Sequence, residues 1–222
     1  SAWTRHDIAP LEPFDAPTGF SNAFHTFALD VNGDGWPDQV ILGFPGEPAT
    51  WRANPGPRGG TWRTHLLSAS TGNESPALAR AVRGRGPVFV MGVNEQLGWL
   101  APATSPFAPF EFHPISEPNH PTAHRYAHGL GVGDLDGDGR ADVVGTKGYW
   151  LAPETPGASP WPFTPADLGP DAAHMAIYDV NGDGLADIVA SAAHAVGVWW
   201  FEQRVASGTR TFEKHAIDAS FS

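Results

Sequence analysis

The sequence contains no cysteine, which excludes a disulfide framework and any thiolate metal site and leaves the redox compartment open. No apolar run approaches the roughly 20 residues of a membrane-spanning helix. No stretch reads as a signal peptide, and the opening Ser1-Ala2-Trp3, without methionine, reads as a processed or trimmed start. Basic residues are scarce: 13 Lys and Arg stand against 24 Asp and Glu, a formal net charge of −11. Without a basic stripe, nucleic acid is not an expected partner. Catalytic motifs are also missing. His124-Arg-Tyr-Ala-His128 has i, i+4 spacing but enters strand-like sequence, and the Arg83-Gly-Arg-Gly86 turn is too short to cradle a phosphate. No catalytic residue is assigned.

What the chain does have is turns and aromatics. Its 222 residues include 26 Gly and 22 Pro, yet 41% are hydrophobic and 11% aromatic. That is enough for one sizeable core or two small ones. Aromatic and β-branched runs between frequent turns point to an all-β fold.

Three segments nearly superimpose: Asp30-Val-Asn-Gly-Asp-Gly-Trp-Pro-Asp38, Asp134-Leu-Asp-Gly-Asp-Gly-Arg-Ala-Asp142 and Asp179-Val-Asn-Gly-Asp-Gly-Leu-Ala-Asp187. Their starts lie 104 and 45 residues apart, so one repeat without such a loop falls between the first two. Tryptophans recur at Trp51, Trp99, Trp150 and Trp200, in steps of 48, 51 and 50. A further motif, aromatic-x-x-His, occurs at Trp3/His6, Trp62/His65, Phe110/His113 and Phe212/His215, with Trp161-Pro-Phe-Thr164 in the same slot. Each repeat thus reads as four strands: one entering the Asp loop, one leaving it, one carrying Trp and one carrying aromatic-x-x-His. Four short strands per unit of about 50 residues is the pattern of propeller blades. The expectation is a single β-propeller domain with blades at about 18–67, 71–116, 123–169 and 172–218, plus an outer strand within 1–9. That orphan strand, Trp3 to Ile8, predicts a fifth blade supplied by further sequence or another chain, so that 222 residues are not the whole propeller. A compact four-bladed ring is the rival.

The loops have a clear chemistry. Ten of the 24 acidic residues sit in them, and three divalent cations would offset more than half of the net charge. Calcium takes about 6–8 oxygen ligands, and the spacing D-x-[DN]-x-D-G-x-x-D offers side chains at positions 1, 3, 5 and 9 and a carbonyl at position 7. The expected ligands are Asp30, Asn32, Asp34, the Trp36 carbonyl and Asp38; Asp134, Asp136, Asp138, the Arg140 carbonyl and Asp142; and Asp179, Asn181, Asp183, the Leu185 carbonyl and Asp187. An EF-hand would need Glu at position 12, where Ile41, Gly145 and Ala190 stand, and flanking helices where the sequence is strand-like. The second repeat has no carboxylate between Ala77 and Val93 and should bind no calcium.

On these motifs, and on the Trp51-Arg-Ala-Asn-Pro-Gly56 and Trp199-Trp-Phe-Glu202 segments, nearly the whole chain resembles the FG-GAP/VCBS-type repeat proteins, found in integrin α-subunits and in many bacterial secreted proteins. The resemblance implies a propeller fold and a structural role for calcium. Sites of the extracellular type bind at roughly 10⁻⁴–10⁻³ M, which implies a periplasmic or secreted location.

The histidines divide into two sets. His6, His65, His113 and His215 of the aromatic-x-x-His strands read as structural. His25, His128 and His174 lie 5, 6 and 5 residues before the first Asp of their loops. If those strand starts line one channel mouth, the three imidazoles converge on a transition-metal site. Two functions stay open. One is a binding or interaction module, an envelope-complex subunit or a glycan binder, partnered by protein, glycan or the chain that completes the ring. The other is a polysaccharide lyase or hydrolase with its site at the His-lined mouth.

Overall fold

The computed structural model describes residues 4, 6–9, 22–155 and 157–220. Among the described residues sixteen strands form four four-stranded sheets. The first contains β1 (His25–Leu29), β2 (Asp38–Leu42), β3 (Ala49–Ala53) and β4 (Arg63–Ser68); the second β5 (Ala77–Ala79), β6 (Val88–Val93), β7 (Gln96–Ala101) and β8 (Glu111–Pro114). The third contains β9 (Gly131–Gly133), β10 (Asp142–Gly145), β11 (Gly148–Trp150) and β12 (Phe163–Pro165); the fourth β13 (Ala172–Tyr178), β14 (Asp187–Ala192), β15 (Val198–Ala206) and β16 (Thr209–Asp218). Each sheet is an open meander in chain order. Two short 3-10 turns are the helical content among the described residues, and no helix there is long and apolar enough to cross a membrane. Trp3 and Arg5 of the expected N-terminal strand lie outside the described residues; Thr4 and His6–Ile8 are not assigned to a strand.

The chain divides into two compact units, residues 1–71 with 102–111 and residues 72–101 with 112–222. In the first, Val40 and Leu42 of β2, Trp51 of β3 and Leu67 of β4 are buried. The His65 ring stacks on the Trp51 indole, centroids 4.7 Å apart, in the cross-strand pair Trp51↔His65.

The second unit holds the other three sheets, which stack face to face. One core joins Val88, Val90 and Trp99 of the second sheet to Leu130, Val143 and Trp150 of the third. Another joins Val144 and Tyr149 of the third sheet to Met175, Ile188 and Phe201 of the fourth. Consecutive residues Val143 and Val144 therefore serve opposite cores, because successive side chains of a strand point to opposite faces. This explains why the inner strands are continuous apolar runs rather than alternating ones: the third sheet is covered on both sides. The first strands come together, with β9 against both β5 and β13. Gly131 permits the approach, since a Cβ there would lie 2.7 Å from the Met175 carbonyl oxygen.

The expected structural histidines find the same partner in this unit. His113 stacks on Trp99 at 3.8 Å and His215 on Trp200 at 4.6 Å. In the third sheet, where Thr164 replaces the histidine, Phe163 pairs with Trp150 instead.

Candidate metal centres

Each Asp loop joins the first strand of a sheet to its second: β1 to β2, β9 to β10 and β13 to β14. The pairs Leu29↔Asp38, Gly133↔Asp142 and Tyr178↔Asp187 close the loops at their bases. Inside, one hydrogen-bond scheme occurs three times. The first Asp gathers three backbone N–H groups. Asp30 Oδ1 accepts from Gly33 and Asp34, and Oδ2 from Gly35, at 2.9–3.1 Å. Asp134 and Asp179 take the equivalent groups in their loops. The third residue, Asn32, Asp136 or Asn181, accepts from the N–H at position 5. The fifth, Asp34, Asp138 or Asp183, accepts from the N–H at position 7.

The glycines at positions 4 and 6 carry φ between 76° and 88° in all three loops, and no atom lies near where their Cβ would be. Their requirement is torsional rather than steric. Position 6 was legible in the motif; position 4 is an addition from the structure.

The ninth residue has a further task. Asp38, Asp142 and Asp187 are buried, and both oxygens of each accept a backbone N–H. One bond comes from position 2, from Val31 at 2.9 Å, Leu135 at 2.9 Å and Val180 at 3.0 Å. The other comes from within or just beyond the third strand, from Asn54 at 2.7 Å, Ala152 at 2.7 Å and Gln203 at 2.8 Å. These carboxylates tie loop to sheet, and each oxygen keeps a lone pair beyond those bonds. Burial, with added repulsion from Asp34 and Asp30, raises the Asp38 carboxyl above its ordinary range. Burial, with Asp136 and Asp138 nearby, pushes Asp142 up to about 6. The two backbone bonds oppose the rise in both cases.

The donors suit a hard cation. In the second loop one oxygen from each of Asp134, Asp136 and Asp138 lies within 4.8 Å of the others. In the first and third loops the position-3 amide donates to the outer oxygen of position 5, Asn32 to Asp34 at 3.0 Å and Asn181 to Asp183 at 3.1 Å. The oxygen of the same amide faces the position-5 N–H, with a lone pair left for a cation. In the second loop the Arg140 guanidinium pairs with Asp138 while its Nε donates to the Ala152 carbonyl. The most acidic loop thus carries its own partial counter-charge. An all-oxygen set on a tight coil with glycine at the turn fits calcium.

The three histidines expected at a channel mouth have separate surroundings. In the first unit, His25 lies in β1 with its ring edge-on to Phe24 at 4.8 Å. His174 is exposed on β13, where the register shifts between Ala172 and Met175. His128 precedes β9, and the groups that meet it are Glu74 and His194. β1 starts at His25, β13 starts before His174 and bulges, and β9 starts after His128, so a shared offset from the loops gives the three histidines different positions along their strands.

No family model matches this chain, and no curated protein matches it. Among solved structures it is similar to an Agrocybe aegerita lectin that specifically recognises non-reducing terminal N-acetylglucosamine, at 18% identity and a TM-score of 0.49, over 89% of this chain and 52% of that one. It is also similar to the V. cholerae biofilm matrix protein Bap1, at 14% identity and a TM-score of 0.43, over 89% of this chain and 37% of that one. The chain thus spans about half or less of these structures' lengths, and similarity at this level assigns it no ligand and no activity.

Proposed function

We propose that this chain is a calcium-stabilised β-propeller module of FG-GAP/VCBS type that acts outside the cytoplasm as a binding or interaction surface. The observation that carries this reading is the threefold recurrence of one loop geometry with oxygen donors at the same positions. The propeller arrangement draws support from the second unit, where three sheets stack in chain order with their first strands together. Sites of this loop type in extracellular modules have Kd values of roughly 10⁻⁴–10⁻³ M, so they fill where calcium is millimolar. Calorimetric titration of chelator-treated protein should find three calcium ions per chain. Asp183→Ala should leave two, and Arg83→Ala, in the loop-less second sheet, should leave three. Absence of binding at millimolar calcium would overturn the reading.

Within that function, a glycan is the ligand best supported, because exposed aromatic rings sit at two of the loops. Trp36 occupies position 7 of the first loop and is 44% exposed, and Tyr178, which directly precedes Asp179, is 69% exposed. Exposed aromatic faces provide stacking platforms for apolar sugar faces. On a glycan array, calcium-loaded protein should show a defined set of hits, and Trp36→Ala or Tyr178→Ala should remove them. A blank array would leave the calcium assignment standing and direct the search to protein partners.

A further inference from the structure

We propose that Glu74, His128 and His194 form a first-row transition-metal site, best matched to Zn²⁺, that clips together loops of the second, third and fourth sheets. The site is separate from the Asp loops and uses a different donor chemistry.

The three residues come from three sheets of one compact unit. Glu74 lies in the loop before β5, His128 in the loop before β9, and His194 in the turn between β14 and β15. Their ligand atoms all lie within 4.8 Å of one another. His128 Nε2 is 2.9 Å from His194 Nε2 and 3.3 Å from Glu74 Oε2. In a tetrahedral zinc site with metal–ligand bonds of about 2.0–2.1 Å, ligand atoms lie about 3.3 Å apart. The Glu74–His128 spacing already meets that value, the two imidazoles need to part by only a few tenths of an ångström, and Glu74 and His194, within 4.8 Å, need to close.

The contact is poorly explained by protons alone. If His128 Nε2 carries a proton, that proton is shared between an imidazole nitrogen and a carboxylate; if it does not, it accepts from His194 and gives nothing to Glu74. A cation at the common point satisfies all three donors at once. Two imidazoles and a carboxylate form a borderline nitrogen-rich set, suited to Zn²⁺ and its neighbours rather than to Ca²⁺. His194 is exposed while the His128 and Glu74 side chains are only 12% and 19% accessible. The remaining coordination position therefore faces solvent and takes water.

The backbone beneath the site is fixed. Glu74 N–H donates to the Ala127 carbonyl at 2.9 Å, beside His128. Ser75 Oγ donates to the Ala173 carbonyl at 2.8 Å and accepts from Gly129 N–H at 3.3 Å, so one hydroxyl joins all three sheets next to the ligands. The His194 turn is closed by Ala192 N–H on the Gly197 carbonyl and pinned by Ala193 N–H on the Asp171 carbonyl, both at 2.9 Å. Gly129, with φ of 79°, lets the chain turn immediately after His128 where a Cβ would press on Thr146 and Ala172. Such supported, pre-positioned ligands are what a metal site requires.

The test is titration of the full chain with CoCl₂ after the Asp loops have been saturated with calcium, followed by visible absorption, with ZnCl₂ as competitor. One equivalent of Co²⁺ should give a ligand-field band that Zn²⁺ abolishes. Zn²⁺ should also raise the melting temperature of the wild type. His194→Ala, in an exposed turn and so compatible with folding, should lose both the band and the Zn²⁺-dependent rise while keeping calcium stoichiometry. Glu74→Gln should weaken binding at least tenfold. An absent band in the wild type would leave Glu74, His128 and His194 a hydrogen-bonded trio and overturn the proposal, as would a band unchanged in His194→Ala.

Discussion

Chelation of calcium is expected to lower the melting temperature of this protein by about 8–16 °C, and calcium alone, added back, should restore it. At tenfold excess over Kd each bound ion stabilises the folded state by about 1.4 kcal/mol, so three contribute about 4 kcal/mol. That is a large part of the roughly 5–15 kcal/mol that holds a domain together. For a chain of this length each kcal/mol corresponds to about 2–4 °C. The sign follows from electrostatics: each loop carries carboxylates at positions 1, 5 and 9, with Asp136 added in the second, and a bound cation would replace repulsion among them with attraction. Chelation releases a transition metal as well, so recovery with calcium alone is the decisive measurement. Superimposable melting curves with and without calcium would remove the structural role.

The second large effect concerns the ninth loop residue and does not depend on metal. Asp187→Ala is expected to cost about 2–5 kcal/mol even in the presence of chelator. The substitution orphans the N–H groups of Val180 and Gln203, which donate to Asp187 at 3.0 and 2.8 Å. An unsatisfied buried polar group costs about 1–3 kcal/mol. Asp183→Ala is the informative companion. Its carboxylate is exposed and its two donors, the Leu185 N–H and the Asn181 amide, are exposed as well, so in chelator it should cost under about 1 kcal/mol, while with calcium it should remove one site. Denaturant melts of both variants in chelator and in calcium separate the two roles. Equal costs for both variants in chelator would show that the ninth residue is not the anchor described here.

The sequence makes some of this architecture legible and hides the rest. The all-β class and the four four-stranded units are visible because the Trp and aromatic-x-x-His motifs recur in register, and the structure shows why: Trp51 and His65, Trp99 and His113, and Trp200 and His215 stack on one another. The Asp loops are legible because they are local, with every internal bond spanning seven residues or fewer. The second partner of the ninth Asp is not legible. Asn54 and Gln203 carry amides but Ala152 only a methyl, and the group that each supplies is a backbone N–H, which leaves no mark in the sequence. The trio at His128 is hidden for a related reason. Glu74 belongs to the repeat without an Asp loop and His194 to a different turn of its repeat, so repeat alignment does not bring them together. Periodicity reports what each sheet does alike, whereas a site assembled from unlike positions of three sheets leaves no periodic trace.

If the Asp loops bind calcium as proposed, the second sheet is the one of the four that holds its first hairpin without an ion. Its first hairpin has no acidic cage; it turns through Arg85 N–H on the Val82 carbonyl, with the Arg85 guanidinium over the Trp99 ring. Where the Asp loops would take positive charge from the surroundings, this hairpin carries it covalently. The dependence on ambient calcium would then be set sheet by sheet, and removing the ion should loosen three first hairpins while sparing the one held by Arg85 and Trp99.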